Sequence, residues 1–137
     1  MAANTLPIYG RVPGAQWNAT NITAANTAKD GTGTVTDIFV AGADGSFLTK
    51  LVVRSRGTNV ATVMRVFVNN GSTNATAANN SLFAEVTMPA TTVSEVAALN
   101  GVELPLNLPL PTGYKLFVTI GTAVAAGFSI TAFGADY

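Results

Sequence analysis

The sequence predicts an all-β fold: a single-domain, two-sheet sandwich, jelly-roll-like, with an irregular N-terminal arm. From residue 34 onward, short β-branched and aromatic segments alternate with turns rich in Gly, Asn and Pro. No long segment shows helical periodicity. A chain of 137 residues is sufficient for one domain with its own core. We therefore divide the chain into an extended arm, residues 1–33, and a sandwich, residues 34–137.

The arm mixes Pro, Gly, Asn and Thr with little periodicity, which is typical of extended chain rather than of a regular element. Within it, residues 18–28 are compatible with a short strand or a helical turn. Two interpretations stay open for the arm as a whole. One is a loosely ordered terminus, and the other is a segment that lies across a neighbouring subunit, with Trp17 as its anchor.

Two strands are predicted to open the sandwich. Residues 35–41 are β-branched and aromatic and end at a turn of Gly, Asp and Ser. Residues 46–56 alternate apolar with basic side chains, as a half-buried strand does. The predicted inward side chains are Phe47, Leu51 and Val53, and the predicted outward ones are Lys50, Arg54 and Arg56.

The middle of the chain holds a strand that is apolar on both faces, followed by a polar loop. Residues 61–69, which include Phe67, are expected to be covered on two sides. Residues 69–80 contain only Asn, Ser, Thr, Ala and Gly and predict a surface loop. Residues 81–88 then resume the alternation. The predicted inward side chains there are Leu82, Ala84, Val86 and Met88.

The last third of the chain contains one plausible helical turn, residues 91–99. Residues 102–108 alternate strictly, and Pro105 predicts an edge strand because proline has no N–H to donate. Strands at residues 114–121 and 128–133 complete the sheets.

An uncharged stretch of 20 residues, 116–135, has the length of a membrane span. Its bulky residues recur with a period of two, and three glycines interrupt it. We therefore interpret it as two strands and a turn.

The composition excludes several classes of function. The chain has no Cys and no His, which removes thiolate chemistry, the commonest general base and the commonest metal ligand. Seven Lys and Arg balance seven Asp and Glu, which argues against a nucleic acid or an anionic membrane as partner. The first residues lack the pattern of a secretory signal, so we expect synthesis in the cytoplasm.

No pattern of residues indicates a catalytic, cofactor or metal site, and we expect a protein that is not an enzyme. The carboxylates are scattered along the chain, although a glycosidase-like pair stays open because such pairs form in space. Sequons for N-glycosylation are interpreted as coincidence in a chain rich in Asn and Thr. They begin at Asn18, Asn21, Asn70 and Asn74.

The basic residues Arg54, Arg56 and Arg65 form the one cationic cluster of the sequence. On adjacent strands they would make a stripe that meets an acidic patch of a partner subunit. The alternative is an ordinary solvated face.

The runs TAKDGTGTV, TNVATVMRVFVNNGSTNATAANNSLFAEVTMPATT and LPLPTGYKLFVTIGT follow a short Pro/Gly arm that contains Trp17. With that arm, the sequence resembles small virion proteins of tailed bacteriophages over nearly its full length. The resemblance implies a capsid decoration (cement) protein, a β-sandwich on the outside of the head lattice, usually as an oligomer. It implies no catalytic residues.

We expect a structural virion protein that stabilises the head shell through multivalent subunit contacts. Its expected partners are the major capsid protein or other virion subunits and further copies of itself, a trimer being favoured. Its expected location is the capsid surface. The alternative is a phage tail or fibre module that binds a receptor glycan through Asn/Thr-rich loops. Candidate subunit contacts are Trp17, Arg54, Arg56, Arg65, Phe67, Leu106 and Leu108. For Phe67, Leu106 and Leu108 the other interpretation is ordinary core.

Overall fold

The computed structural model describes residues 10–137, in which eight strands form two four-stranded antiparallel sheets. In chain order the strands are β1 (Val12–Trp17), β2 (Thr36–Val40), β3 (Ser46–Ser55), β4 (Thr62–Asn69), β5 (Asn80–Met88), β6 (Gly101–Leu110), β7 (Lys115–Ile120) and β8 (Phe128–Asp136). The only helical element in this part of the chain is one 3-10 turn, Ala77–Asn79. The predicted all-β sandwich is confirmed.

The strands pair as the two arms of one long hairpin would. β4 pairs with β5, β3 with β6, β2 with β7 and β1 with β8, so the pairs nest around the β4–β5 connection. Two further pairings, β3 with β8 and β4 with β7, roll this hairpin into two sheets. Sheet A has the order β1-β8-β3-β6, and sheet B has the order β2-β7-β4-β5. This is the strand arrangement of a jelly roll.

The core lies between the two sheets and is made by side chains from every strand except β1. Burial of one large aliphatic or aromatic side chain contributes about 1.5–3 kcal/mol, so this layer holds the sheets face to face. Its most fully buried members include Phe39, Leu48, Leu51, Met64, Leu116, Phe128 and Ile130. At one edge Gln16 joins the sheets through its amide, which donates to Val40 O and accepts from Val40 N.

β1 lies inside the predicted arm but belongs to the sandwich. Val12–Trp17 pair residue by residue with β8, and Ile22, which follows, is buried in the core. The strand lacks an apolar alternation because it contains Pro13 and Gly14, so its pairing with β8 rather than its own pattern makes it a strand. Residues 1–9 of the predicted arm lie outside the described residues.

A bulge in β3 changes which of its side chains face the core. The register with β8 shifts between Leu48 and Lys50. As a result Leu48 is fully buried, whereas Phe47, which the alternation placed inward, is half-buried and faces away from the core. Beyond the bulge the predicted alternation holds, with Leu51 and Val53 inward.

β5 shows the same effect. The β4–β5 register shifts beside Phe67, so Leu82 pairs with Phe67 and is 43% exposed instead of inward. Ala84, Val86 and Met88 pack against the core, as predicted.

The predicted helical turn at residues 91–99 is not helical. Ser94 Oγ accepts the N–H groups of Val96 and Ala97 at 3.2 Å, which closes a local turn without a following helical ladder. A few residues of helical spacing do not supply the several hydrogen bonds that a helix needs to offset its nucleation.

β6 is an edge strand, as its prolines predicted. Pro105 and Pro109 lie on the outermost strand of sheet A, where a missing N–H breaks no ladder. Between them Asn107 has a positive φ of 45°, which Asn tolerates, and the β3–β6 register shifts at this point. The uncharged stretch at residues 116–135 forms β7, a turn and most of β8. Residues 10–137 include no helix with the length and apolar content needed to cross a bilayer.

Candidate functional site

The outer face of sheet B carries a second apolar layer. The rings of Phe67 and Phe117 stack with their centroids 5.2 Å apart and an interplanar angle of 22°. Both side chains are at most 1% exposed, although neither belongs to the core between the sheets. Something therefore covers this face of the sheet.

The cover consists of two segments of the same chain: residues 20–35, here called the covering segment, and residues 69–80, here called the Asn tract. Both line small cavities against sheet B, one beside Phe117 and one beside Thr119. Side-chain hydrogen bonds tie the two segments together. Asn74 Nδ2 donates to Gly31 O and Gly33 O at 3.1 and 2.8 Å, and Asn80 Nδ2 donates to Asp30 O at 3.1 Å.

The Asn tract is exposed, as predicted, except for the buried Asn69, and its amides are not free. Each of its five Asn side chains donates a hydrogen bond within the chain, and four of the amide oxygens accept one. These residues are Asn69, Asn70, Asn74, Asn79 and Asn80. The tract is therefore held by its own polar side chains rather than by apolar contacts.

Arg65 belongs to the same covered face. It is 9% exposed, its Nε donates to Glu85 Oε1 at 2.8 Å, and its Nη1 lies 3.5 Å from Asn26 O in the covering segment. Arg54 and Arg56 lie on and just after β3 in sheet A, exposed to solvent. The expected stripe of three arginines on adjacent strands is wrong, because the turn after β3 carries the chain into the other sheet.

The outer face of sheet A, here called the open face, differs because no described segment covers it. Its side chains come from alternate positions of β1, β8, β3 and β6 and are mostly apolar. They include Pro13, Ala15, Trp17, Phe47, Val52, Pro105, Phe133 and Ala135. Trp17 is 65% exposed and Phe133 is 37% exposed.

One ion pair interrupts the apolar surface of the open face. Lys50 Nζ lies 3.5 Å from Glu103 Oε2 and 5.7 Å from the centroid of the Phe133 ring. The two charges cancel, and the cation over the ring adds a further attraction. The face therefore carries no local excess of charge apart from Arg54 at its end.

A groove of about 710 Å³ lies on the open face, between the start of β1 and the bulge of β3. Small residues and aromatic residues line it together, among them Pro13, Ala15, Ala135, Phe47, Phe133 and Tyr137.

The predicted contact residues therefore divide into two groups. Trp17 and Arg54 lie on the open face, and Arg56 is exposed beside it. Phe67 and Leu106 are buried inside the chain, Arg65 is paired internally, and Leu108 packs against the core.

The sequence reasoning missed Phe133 and Phe47 as members of the open face. For Phe47 the signal is the bulge at Leu48 to Lys50, which a strict alternation does not show. Phe133 falls on the outer face by the regular alternation of β8, in which Phe128, Ile130 and Ala132 face the core.

The titratable groups do not converge. Three carboxylates each face a different cation, in the pairs Lys50–Glu103, Arg65–Glu85 and Lys115–Asp37. In the part of the chain that the structure describes, no three acidic residues come close enough to hold a metal ion. The hydroxyl and backbone N–H of Thr32 both donate to Asp30, and these bonds lower the pKa of its carboxyl below the ordinary value.

No protein family, curated protein or solved structure matches this chain. The properties of the site therefore follow from its own residues. A largely apolar and nearly neutral sheet face is suited to binding another surface.

Proposed function

We propose that this chain is a non-enzymatic structural protein of a bacteriophage virion, a capsid decoration protein that binds the head shell in many copies. The observation that supports this function best is the contrast between the two outer faces of the sandwich. Two segments of the chain cover the stacked rings of Phe67 and Phe117 on the outer face of sheet B, while Trp17 and Phe133 stay exposed on the open face. The resemblance to small virion proteins points in the same direction.

The open face offers the contact chemistry that such a protein needs. Removal of its apolar side chains from water by a partner stabilises the complex by about 25 cal/mol per Å² of buried apolar surface. Each contact is modest, but a shell presents many identical sites, and multivalent attachment adds these contributions. The binding surface on the partner is expected to be apolar and nearly neutral, matching the open face.

The low charge of the chain favours dense packing of copies. Seven positive and seven negative side chains cancel, so neighbouring copies on a lattice experience little mutual repulsion. The same property is unfavourable for an isolated soluble protein, which gains colloidal stability from a net charge.

The test is co-expression of the chain with the virion proteins encoded in the same genome, followed by density-gradient sedimentation of the particles. We expect the chain to co-sediment with the shells. Phe133→Ser, on the open face, is expected to reduce the bound fraction at least tenfold. Phe83→Ser is a matched control, because Phe83 is 39% exposed on β5 in sheet B and Phe133 is 37% exposed.

Two results would contradict the proposal. One is a chain that stays at the top of the gradient with every shell tested. The other is an equal loss of shell binding in Phe133→Ser and Phe83→Ser, with both variants folded by circular dichroism. That result would show that the open face is not the specific binding surface.

The glycan-binding alternative receives less support from the geometry. The cavity beside the Asn tract measures about 130 Å³, below the range of roughly 300–1,000 Å³ that is common for ligand sites. Its lining includes Asn69 and Asn74, whose amides are already hydrogen-bonded within the chain. Phe117, its aromatic member, is 1% exposed and presents no ring face to a sugar.

A further inference from the structure

Among the strands of residues 10–137, β5 differs from the other three that form sheet edges. β6 carries Pro105 and Pro109, and β1, which is six residues long, contains Pro13. In β2 the backbone N–H and C=O of Val40 are both bonded by the side-chain amide of Gln16. Prolines, short strands and occupied backbone groups are features that keep an edge from pairing with another chain.

The edge of β5 lacks these features between Ala84 and Met88. Its register with β4 is regular there, one residue to one, and this stretch contains no proline. The one charged side chain in it is Glu85, whose Oε1 lies 2.8 Å from Arg65 Nε, so its charge is matched within the chain. A regular edge strand without net charge is a template for pairing with a further strand.

The backbone groups of Glu85 and Thr87 point toward this free edge. Val63 O accepts a hydrogen bond at 2.9 Å from the residue that follows β7, so Val63 bonds toward β7. Because backbone groups change side at every residue of a strand, Met64 bonds toward β5 and its partner Val86 bonds back. Glu85 and Thr87, on either side of Val86, therefore face outward. No strand within residues 10–137 lies on that side of β5.

Antiparallel pairing of two β5 strands favours one register over both of its neighbours. Where Val86 lies opposite Val86 of the second copy, Glu85 lies opposite Thr87, and each such pair can exchange two backbone hydrogen bonds. The next register in one direction places Glu85 opposite Glu85, and like charges directly opposite are unfavourable. The next register in the other direction places Glu85 opposite Pro89, which has no N–H to donate.

We propose that β5 pairs with β5 of a second copy, antiparallel and about a twofold axis at Val86, so that sheet B continues across two molecules. The same stretch, residues 84–88, meets itself, which is the self-complementarity that a twofold contact requires. The contact closes at two copies, whereas the expectation from the sequence was a trimer. Because β5 belongs to sheet B, the contact leaves the open face free and does not depend on the proposed function.

Cysteine cross-linking of the purified full chain tests this register, because the chain has no Cys of its own. In Val86→Cys the two thiols would lie on directly opposite residues, with Cα atoms about 4.5 Å apart, within the range for a disulfide. Ala84→Cys is the matched control, since both residues are half-buried and pack against the core. Two copies of residue 84 would lie roughly 13 Å apart along the strands. Oxidation with copper phenanthroline is expected to give at least tenfold more covalent dimer from Val86→Cys.

A second pair of variants tests the backbone hydrogen bonds without cross-links. Thr87→Pro removes an N–H that faces the free edge and leaves the bonds between β5 and β4 in place. It is expected to weaken dimerisation at least tenfold in analytical ultracentrifugation, with the fold checked by circular dichroism. Thr87→Val keeps the N–H and is expected to change dimerisation less than threefold.

Three outcomes would overturn the inference. One is an unmodified chain that sediments as a monomer up to its solubility limit, which would leave this edge to a strand of another protein. The others are equal disulfide yields from Val86→Cys and Ala84→Cys, and equal weakening by Thr87→Pro and Thr87→Val. None of these measurements uses shells, so the inference and the proposed function can fail independently of each other.

Discussion

The ring of Phe67 lies stacked on the ring of Phe117, on the side of sheet B that faces away from the core. The sandwich therefore has two apolar layers, one between its sheets and one between sheet B and the segments that cover it. Sheet A has no such second layer within residues 10–137. Phe67 and Phe117 are buried in the second layer, whereas Trp17 and Phe133 on the outer face of sheet A are exposed.

Phe67→Ala is expected to destabilise the protein by about 3–5 kcal/mol, because it removes a fully buried ring and leaves a cavity against Phe117. Phe133→Ala, at an exposed position, is expected to cost less than about 1 kcal/mol. Urea denaturation of both variants measures the difference. Similar losses in the two variants would show that the covered layer contributes no more to stability than the open face.

Asn18→Ala is expected to destabilise the protein by about 2–4 kcal/mol, because buried backbone groups lose their partners. Asn18 is 2% exposed, its Nδ2 donates to Thr20 O and Phe128 O, and its Oδ1 accepts from Ile130 N at 2.8 Å.

The control for Asn18→Ala is Asn21→Ala, which removes one exposed hydrogen bond to Ala126 O and is expected to cost about 1 kcal/mol or less. Thermal unfolding of the two variants gives the comparison. A smaller loss of thermal stability for Asn18→Ala than for Asn21→Ala would contradict this role of the Asn18 side chain, which continues the hydrogen bonding of β1 to β8.

Glu85→Gln is expected to destabilise the protein by about 1–2 kcal/mol, since Arg65 would keep a largely buried charge without a full counter-charge. Glu85 is 48% exposed, and solvent screening keeps this estimate well below that for a fully buried pair.

Glu103→Gln is the matched comparison, because the Lys50–Glu103 pair is about half-exposed on both sides, and a loss under about 0.5 kcal/mol is expected. Guanidinium chloride would itself screen these pairs, so urea denaturation at low salt is the appropriate measurement. Equal effects of the two substitutions would argue that burial of Arg65 has no energetic consequence.

Trp17 is the single tryptophan of the sequence and lies on the open face, so tryptophan fluorescence reports directly on this face. At 65% exposure it is expected to emit as a solvated indole and to be quenched readily by acrylamide in dilute protein. On assembly its emission is expected to shift to shorter wavelength, with quenching several-fold weaker. Emission that stays unchanged while light scattering reports an oligomer would place the contact elsewhere on the molecule.

Thr32→Val is expected to raise the pKa of Asp30, because the Thr32 hydroxyl is the largest cause of its lowering. A folded pKa below the ordinary value means that this carboxylate stabilises the fold above the ordinary pKa and loses that effect as the pH falls through the folded value. Carboxyl titration by NMR in both proteins measures the change. Thr34→Val is the control. If the pKa of Asp30 rose in that variant and not in Thr32→Val, the Thr32 hydroxyl would not be the cause of the lowered pKa.

The sequence predicted most of the strands because their periodicity is local information. β6 illustrates this, since two prolines and a strict alternation indicated an edge strand, and it is one. The sandwich and its jelly-roll order also agree with the prediction.

What the sequence did not predict depends on contacts between distant residues. β1 has no periodicity of its own and exists because β8 pairs with it. Phe47 and Leu82 face away from the core because bulges shift the alternation, and a bulge is set by the partner strand as much as by the strand itself. The sequence predicted that the strand containing Phe67 is covered on both faces, but only the tertiary structure shows that segments of the same chain supply the outer cover.

The nested pairing of the strands also sets the order in which the protein can fold as it is made. β4 and β5 are close in sequence and can pair early, whereas Asn18 and Ile130, 112 residues apart, meet only after β8 has been synthesised. Until β8 has been made, β1 therefore lacks its partner strand and sheet A is incomplete. Such dependence on distant contacts slows folding, so newly made copies spend time with unpaired strand edges before sheet A is complete.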